Sequence, residues 1–114
     1  MRILNGIINC NDTTNIENGA IVEIEVYCLR TNAPSVTIGK CQIENPESFP
    51  IEFIVNWDDV SILNKNAKCM VGARITRNER LDFLTRTDAS IVDKVSGNAL
   101  DKVDILMVNV NRKH

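Results

Sequence analysis

The chain has 114 residues, of which 44% are hydrophobic and 4% aromatic, and its 13 basic and 15 acidic residues give a net charge of −2. This length supports one core, and we expect residues 1–114 to form a single domain. The charge argues against nucleic-acid binding, which needs concentrated lysine and arginine. No segment has the apolar length that crosses a bilayer, so we expect no membrane partner.

Short apolar segments separated by Gly, Pro, Asn and Asp predict an all-β chain. Residues 20–29 alternate most clearly, with apolar side chains at every second position from Val22 to Cys28. Strands are predicted at seven places: 3–10, 20–29, 35–43, 49–55, 67–76, 80–86 and 102–110.

Local features interrupt this pattern. The alternation changes parity around Gly39, which predicts a β-bulge. Pro50 lacks a backbone donor and should lie at a strand start or edge. Residues 57–63 resemble one short helical turn, and residues 88–101 are ambiguous. We therefore predict an antiparallel two-sheet β-sandwich of about seven strands with one helical turn, and a small barrel is the alternative.

The four cysteines occupy positions that otherwise carry aliphatic residues, namely Cys10, Cys28, Cys41 and Cys69. A buried cysteine behaves as a small hydrophobe, so free core thiols are expected, although two disulfides remain open. The spacing contains no close cysteine pair, and the one histidine is His114. We therefore expect no metal and no cofactor.

Residues for catalysis are scarce. Serine or cysteine nucleophiles usually need a nearby histidine base, and His114 is at the end of the chain. Asp58 and Asp59 are explained by a helix cap, and Glu23 and Glu25 by a solvated strand face. The sequence therefore predicts no catalytic residues and no enzymatic activity.

Two groups of residues are candidates for an interaction surface. One is a locally basic group on two successive predicted strands, Arg74, Arg77, Arg80 and Arg86, which Glu79, Asp82 and Asp88 are expected to neutralise. The alternative for this group is contact with an anion or an acidic partner. The other lies on the last predicted strand, which is apolar on both faces and whose second face carries Leu106, Val108 and Val110. This strand favours a protein partner, including a second copy of the chain.

The order of several short segments resembles the YbaY/YscW family of type III secretion lipoprotein chaperones, also called pilotins. The segments are Leu4-Asn5-Gly6-Ile7-Ile8, Gly19-Ala20-Ile21-Val22-Glu23-Ile24, Ala33-Pro34 followed by Ile38, Phe49-Pro50-Ile51-Glu52-Phe53, Ala73-Arg74-Ile75, and Phe83-Leu84 ending at Thr87-Asp88. The resemblance implies a β-sandwich without enzymatic activity, and some members of the family stabilise or pilot a secretion pore protein. The family supplies no catalytic residues.

The sequence departs from the family at its start. The apolar run in residues 1–10 is too short for a signal peptide, and Asn9 precedes Cys10 where a lipoprotein has a small residue. We therefore expect a cytoplasmic protein without a lipid anchor. The Trp57-Asp58-Asp59 segment also replaces the family's usual Tyr-Asp.

Three functions follow from these features. The first is a non-enzymatic, protein-binding or chaperone-like module. The second is a carrier of a small apolar ligand between the sheets. The third is a homo-oligomeric structural domain with residues 103–110 buried at a self-interface.

Overall fold

Strands make up most of the chain that the computed structural model describes, which comprises residues 2–11, 15–30, 32–58, 68–93, 95 and 98–110. These residues contain eight strands and no helix. The strands are β1 (Arg2–Cys10), β2 (Ala20–Arg30), β3 (Ala33–Glu44), β4 (Ile51–Trp57), β5 (Lys68–Arg77), β6 (Arg80–Thr85), β7 (Ala89–Ser90) and β8 (Lys102–Asn109).

All the strands belong to one sheet, in the order β3-β2-β5-β6-β8-β1-β4, and the two-residue β7 pairs with β5. Strand β8 pairs with β6 on one side and runs parallel to β1 on the other. It therefore joins two groups of antiparallel strands, β3-β2-β5-β6 and β1-β4. The terminal strands β3 and β4 contact each other, so the sheet curls into a nearly closed, barrel-like form.

The all-β prediction is confirmed, but the two-sheet sandwich is corrected to this single curled sheet. The reason is β8, which has apolar residues on both faces. It pairs with β6 and with β1, and these strands would otherwise belong to two separate sheets. Of the predicted helical turn, Trp57 ends β4, and residues 59–67 lie outside the described residues. Pro50 immediately precedes β4, as predicted.

Strands β3 and β4 meet at a seam centred on Gly39. The register of β3 against β2 shifts between Val26 and Tyr27, which leaves Ile38 as the extra residue of the predicted bulge. Ile38 turns its side chain into the core, and its carbonyl accepts a hydrogen bond from the Asp58 backbone N–H at 2.9 Å. A bulge of this kind bends the strand, and here it brings β3 onto β4.

The seam leaves no space for a side chain at position 39. A Cβ atom placed on it would lie 2.4 Å from the Asn56 carbonyl oxygen and 2.7 Å from Cβ of Trp57. The obstructing atoms belong to backbone or lie next to it, so they cannot rotate away. The seam therefore depends on a glycine at position 39.

The interior of the barrel is filled by the alternating apolar side chains of each strand. Phe49 and Phe83 meet edge to face with their ring centroids 5.2 Å apart. Most of the remaining space is occupied by aliphatic residues, as the low aromatic content predicts. The fully or almost fully buried larger side chains are Leu4, Ile8, Val22, Ile24, Val26, Val55, Val71, Ile75, Ile91, Ile105 and Met107.

Two of the four cysteines form a disulfide. Cys28 on β2 and Cys69 on β5 are directly opposite each other, with their Cα atoms 4.0 Å apart, and are bonded. Cys10 and Cys41 are free and half-buried. The prediction of free core thiols is therefore wrong for Cys28 and Cys69. Alternation identified their inward face, but the strand register that sets them opposite each other cannot be read from spacing.

We predict that Gly39→Ala lowers the free energy of unfolding by about 1–3 kcal/mol, the usual cost of forcing extra volume into a packed contact. Urea denaturation followed by fluorescence of Trp57, the single tryptophan, measures this at the seam itself. The exposed neighbour Lys40 supplies the control, and Lys40→Ala should change stability by less than about 0.5 kcal/mol. Equal effects of the two substitutions would contradict the close approach at Gly39.

Protein purified without reductant and then denatured should titrate with two thiols, rising to four after reduction. The Cys28→Ala/Cys69→Ala variant should lose about 2–5 kcal/mol of stability, because the disulfide no longer closes the chain between residues 41 positions apart. The control Cys10→Ala removes a free, half-buried thiol and should cost about 1 kcal/mol or less. Four thiols before reduction would exclude the disulfide.

Candidate functional site

The sheet order brings together two groups of residues that lie far apart in the sequence. Strands β5, β6 and β8 are neighbours. Leu84 on β6 lies opposite Arg74 on β5 and opposite Val108 on β8, so these three side chains share the outer face of the sheet. Arg86, two residues beyond Leu84, lies on the same side. Arg77 and Arg80 pair with each other next to the β5–β6 turn, with the inward parity of Ile75. One continuous surface therefore contains the predicted apolar group and two of the four predicted arginines, Arg74 and Arg86.

Alternation along β8 creates the apolar part of this surface. Ile105 and Met107 are buried, so the residues between and beyond them project outward. Leu106 and Val108 are half-buried and Val110 is 43% exposed, as is Leu84 on β6. We call the whole surface the basic–apolar face, and its members are Arg74, Leu84, Arg86, Leu106, Val108 and Val110.

Leu84 was missing from the residues singled out in the sequence. The signal for it was present, because Phe83 is a large apolar residue that is buried on the inner face of β6, while its neighbour Leu84 is a large apolar residue at the outer parity. An apolar residue at an outward position is weak information by itself. It becomes informative once the register places it beside Val108.

The four arginines differ in how their charge is balanced. Arg74 forms an ion pair with Glu23 at 3.0 Å. Arg77 pairs with Asp82 at 3.0 Å and with Glu17 at 2.6 Å. The hydrogen bond to Asp82 is the largest of the causes that raise the pKa of Arg77.

Arg80 and Arg86 are exposed, and no carboxylate among the described residues pairs with either of them. The Arg86 backbone N–H donates to the Leu106 carbonyl at 2.9 Å, which fixes Arg86 beside the apolar residues of β8. The predicted neutralisation of the arginines by Glu79, Asp82 and Asp88 is therefore partial. Asp82 pairs with Arg77, but Asp88 accepts a hydrogen bond from Tyr27 instead. On the basic–apolar face, Arg86 therefore keeps its positive charge available for an external carboxylate.

Asp88 is held at the border of this surface by Tyr27 and Gly72. The Tyr27 hydroxyl donates a hydrogen bond to the Asp88 carboxylate. The carboxylate rests directly on Gly72, where a Cβ atom would lie 2.5 Å from one of its oxygens. Nearby, the buried Thr85 hydroxyl donates to the Ala73 carbonyl at 2.8 Å and accepts from its N–H at 2.7 Å. These contacts hold in place the segment that connects β6 to β7, the short strand that pairs with β5.

Burial, followed by the hydrogen bond to Asp88 and its negative charge, raises the pKa of Tyr27 to about 12. The phenol of an unfolded chain titrates near pH 10. Because the folded pKa is the higher one, the stability contributed by Tyr27 is complete below about pH 10 and is lost as the pH rises toward 12.

Tyr27 is the single tyrosine, so tyrosinate absorbance after a rapid pH jump reports its folded pKa before the chain unfolds. We expect a midpoint near 12, and Asp88→Asn should lower it part of the way, because burial remains when the charge is removed. Glu79→Gln, an exposed change on the β5–β6 turn, is the control and should leave the midpoint unchanged. A midpoint near 10 in the unsubstituted protein would contradict the Tyr27–Asp88 contact.

The chemistry of the basic–apolar face suits binding rather than reaction. A guanidinium group stays protonated in proteins and offers only donors, and alkyl side chains contribute burial. In the part of the chain that the structure describes, no group of three or more His, Cys, Asp or Glu side chains could hold a metal ion. Nor do the described residues include a helix long and apolar enough to cross a membrane.

Comparison with known proteins places this fold among secretion chaperones. No curated protein matches the chain. The solved structure of an alternative pilotin from the type II secretion system of Vibrio cholerae has the same fold, with a TM-score of 0.82 and 19% sequence identity over 97% of this chain and 98% of the pilotin. The family "Type III secretion system lipoprotein chaperone (YscW)" matches residues 1–105. The chain therefore belongs to the YscW family.

Proposed function

We propose that this chain is a non-catalytic, chaperone-like module that binds a protein of a secretion apparatus on its basic–apolar face. Membership of a family described as secretion lipoprotein chaperones supports the protein-binding role. The observation that carries the proposal is the sheet register, which sets exposed apolar side chains beside Arg86, an arginine that lacks a carboxylate partner among the described residues.

The composition of the face defines the chemistry of the partner segment. Burying Leu84 and Val110, each 43% exposed, favours apolar side chains on the partner. Arg86 favours aspartate or glutamate beside it, because guanidinium and carboxylate groups form paired, charge-assisted hydrogen bonds. Charges at the rim of an interface act mainly on specificity and association rate, so the apolar contacts should supply most of the affinity.

The cellular compartment in which this binding occurs can be tested through the redox state of the cysteines. The cytoplasmic location stays a prediction from the sequence. A persistent disulfide such as Cys28–Cys69 is typical of oxidising compartments. The number of free thiols in protein taken from its own source therefore bears directly on the location.

To test the proposed face, a photo-crosslinking amino acid replaces Leu84 in the chain expressed in its source cells. We expect a covalent adduct with one protein of the secretion apparatus, and its yield should fall at least tenfold when Arg86→Glu or Val108→Asp is added. The matched control places the crosslinker at Ile3, which is 55% exposed on β1 and should give no such adduct.

Three outcomes would overturn the proposal. Equal crosslinking from positions 84 and 3 would show that the basic–apolar face is not the site. An adduct that is insensitive to both added substitutions would show contact without recognition. An adduct at twice the chain mass would identify a second copy as the partner and favour the homo-oligomeric domain.

A further inference from the structure

A cavity of about 670 Å³ lies between β3 and the strands β4, β1 and β8. The cavity is separate from the basic–apolar face, because its residues on β8 are at the start of that strand, whereas the face contains the outward residues from Leu106 onward. Its residues on β3 are Cys41, Gln42 and Ile43, a few positions beyond the Gly39 seam. The two terminal strands of the sheet therefore touch at the seam and enclose a space next to it.

One wall of the cavity is a row of residues aligned across three strands. Gly6 on β1 pairs with Phe53 on β4 and with Val103 on β8. The far end of the Phe53 ring occupies the place of a Gly6 side chain, because a Cβ atom on Gly6 would lie 2.1 Å from Cζ of that ring. This wall therefore consists of the side chains of Phe53 and Val103 and the backbone of Gly6.

The facing wall carries Cys41 and Ile43, which are half-buried and pack against the core, as does Val103. Their partial exposure contrasts with the complete burial of core residues such as Leu4 and Val55. The core is therefore less completely covered at this place, where β3 carries the small side chain of Cys41.

Polarity changes sharply from the interior of the cavity to its rim. The lining residues that are buried or half-buried are Gly6, Cys41, Ile43, Phe53 and Val103, and none carries a charge. The charged lining residues are Glu52, Lys102 and Asp104, and all three are exposed. Specific binding sites combine an apolar interior with a few polar groups in this manner.

We propose that this cavity binds a small, uncharged, apolar molecule. Its volume lies within the range of about 300–1,000 Å³ that is usual for ligand sites, and a barrel of about eight strands can leave room for one small ligand beside its packed side chains. The interior offers alkyl, aromatic and thiol groups, so the bound part of the molecule must be apolar.

Cys41 provides a reporter inside the cavity. It is a free thiol whose pKa is raised by burial, and a bound molecule would cover it. Cys10 is also free and half-buried but is not among the lining residues. The two thiols thus differ in whether they line the cavity, and Cys10 serves as an internal control for any reagent.

The probe for the experiment is N-phenyl-1-naphthylamine, a neutral aromatic molecule that fluoresces in apolar surroundings. We expect saturable binding to the folded protein, weakened at least tenfold by Val103→Asp, which places a carboxylate in the cavity, and by Val103→Phe, which fills it. Leu84→Asp on the basic–apolar face is the control and should leave the affinity unchanged. This control also separates the inference from the proposed function, because it should abolish partner binding alone.

A second measurement keeps the inference testable should the Val103 variants fold poorly. Saturating probe should slow alkylation of Cys41 by N-ethylmaleimide at least fivefold in the unsubstituted protein and leave the rate at Cys10 unchanged. No saturable binding, binding that is insensitive to both Val103 substitutions, or equal protection of the two thiols would overturn the inference. Displacement of the probe by an extended peptide, but by no small apolar compound, would assign the cavity to a polypeptide and would also overturn it.

Discussion

The close approach of two backbones at Gly39 is the constraint on which the rest of the structure depends. Strands β3 and β4 are the two ends of the sheet order, and an open sheet would leave both edges unpaired and the inner face uncovered. The Ile38 bulge bends β3 across the opening, and the missing side chain of Gly39 lets it reach Asn56 and Trp57. Closure of the barrel, burial of the core and the walls of the cavity all follow from that contact.

The basic–apolar face has a different origin, because it depends on which strands become neighbours. Arg74 and Val108 contribute to one surface only because Leu84 lies between them in the register. The structure leaves Leu106 and Val108 half-buried and Val110 exposed, so the apolar outer residues of β8 are covered in part by the chain itself and stay available in part for a partner.

Local features of this chain were predictable, and long-range ones were not. Alternation identified the inward residues of β2 from Val22 to Cys28, and the change of parity located the bulge at Gly39, because both depend on neighbours in sequence. The register that sets Cys28 opposite Cys69, and the parallel pairing of β1 with β8, depend on strands that are distant in sequence. The predicted sandwich differs from the observed barrel for that reason. The interaction role of the residues named from the sequence stays a prediction, and the sheet order was needed to show that Arg74, Arg86 and the apolar residues of β8 share one surface with Leu84.

The position of β8 has a consequence for how the chain reaches its native state. Strands β1 and β4 form one antiparallel group and β3, β2, β5 and β6 another, and among the described strands β8 is the one that pairs with both groups. During synthesis, both groups can form while β1 and β6 still present open edges. Contacts between positions so far apart in sequence form slowly, and unpaired edges favour association between chains in the meantime. The edges of β1 and β6 therefore stay open until β8 has been made.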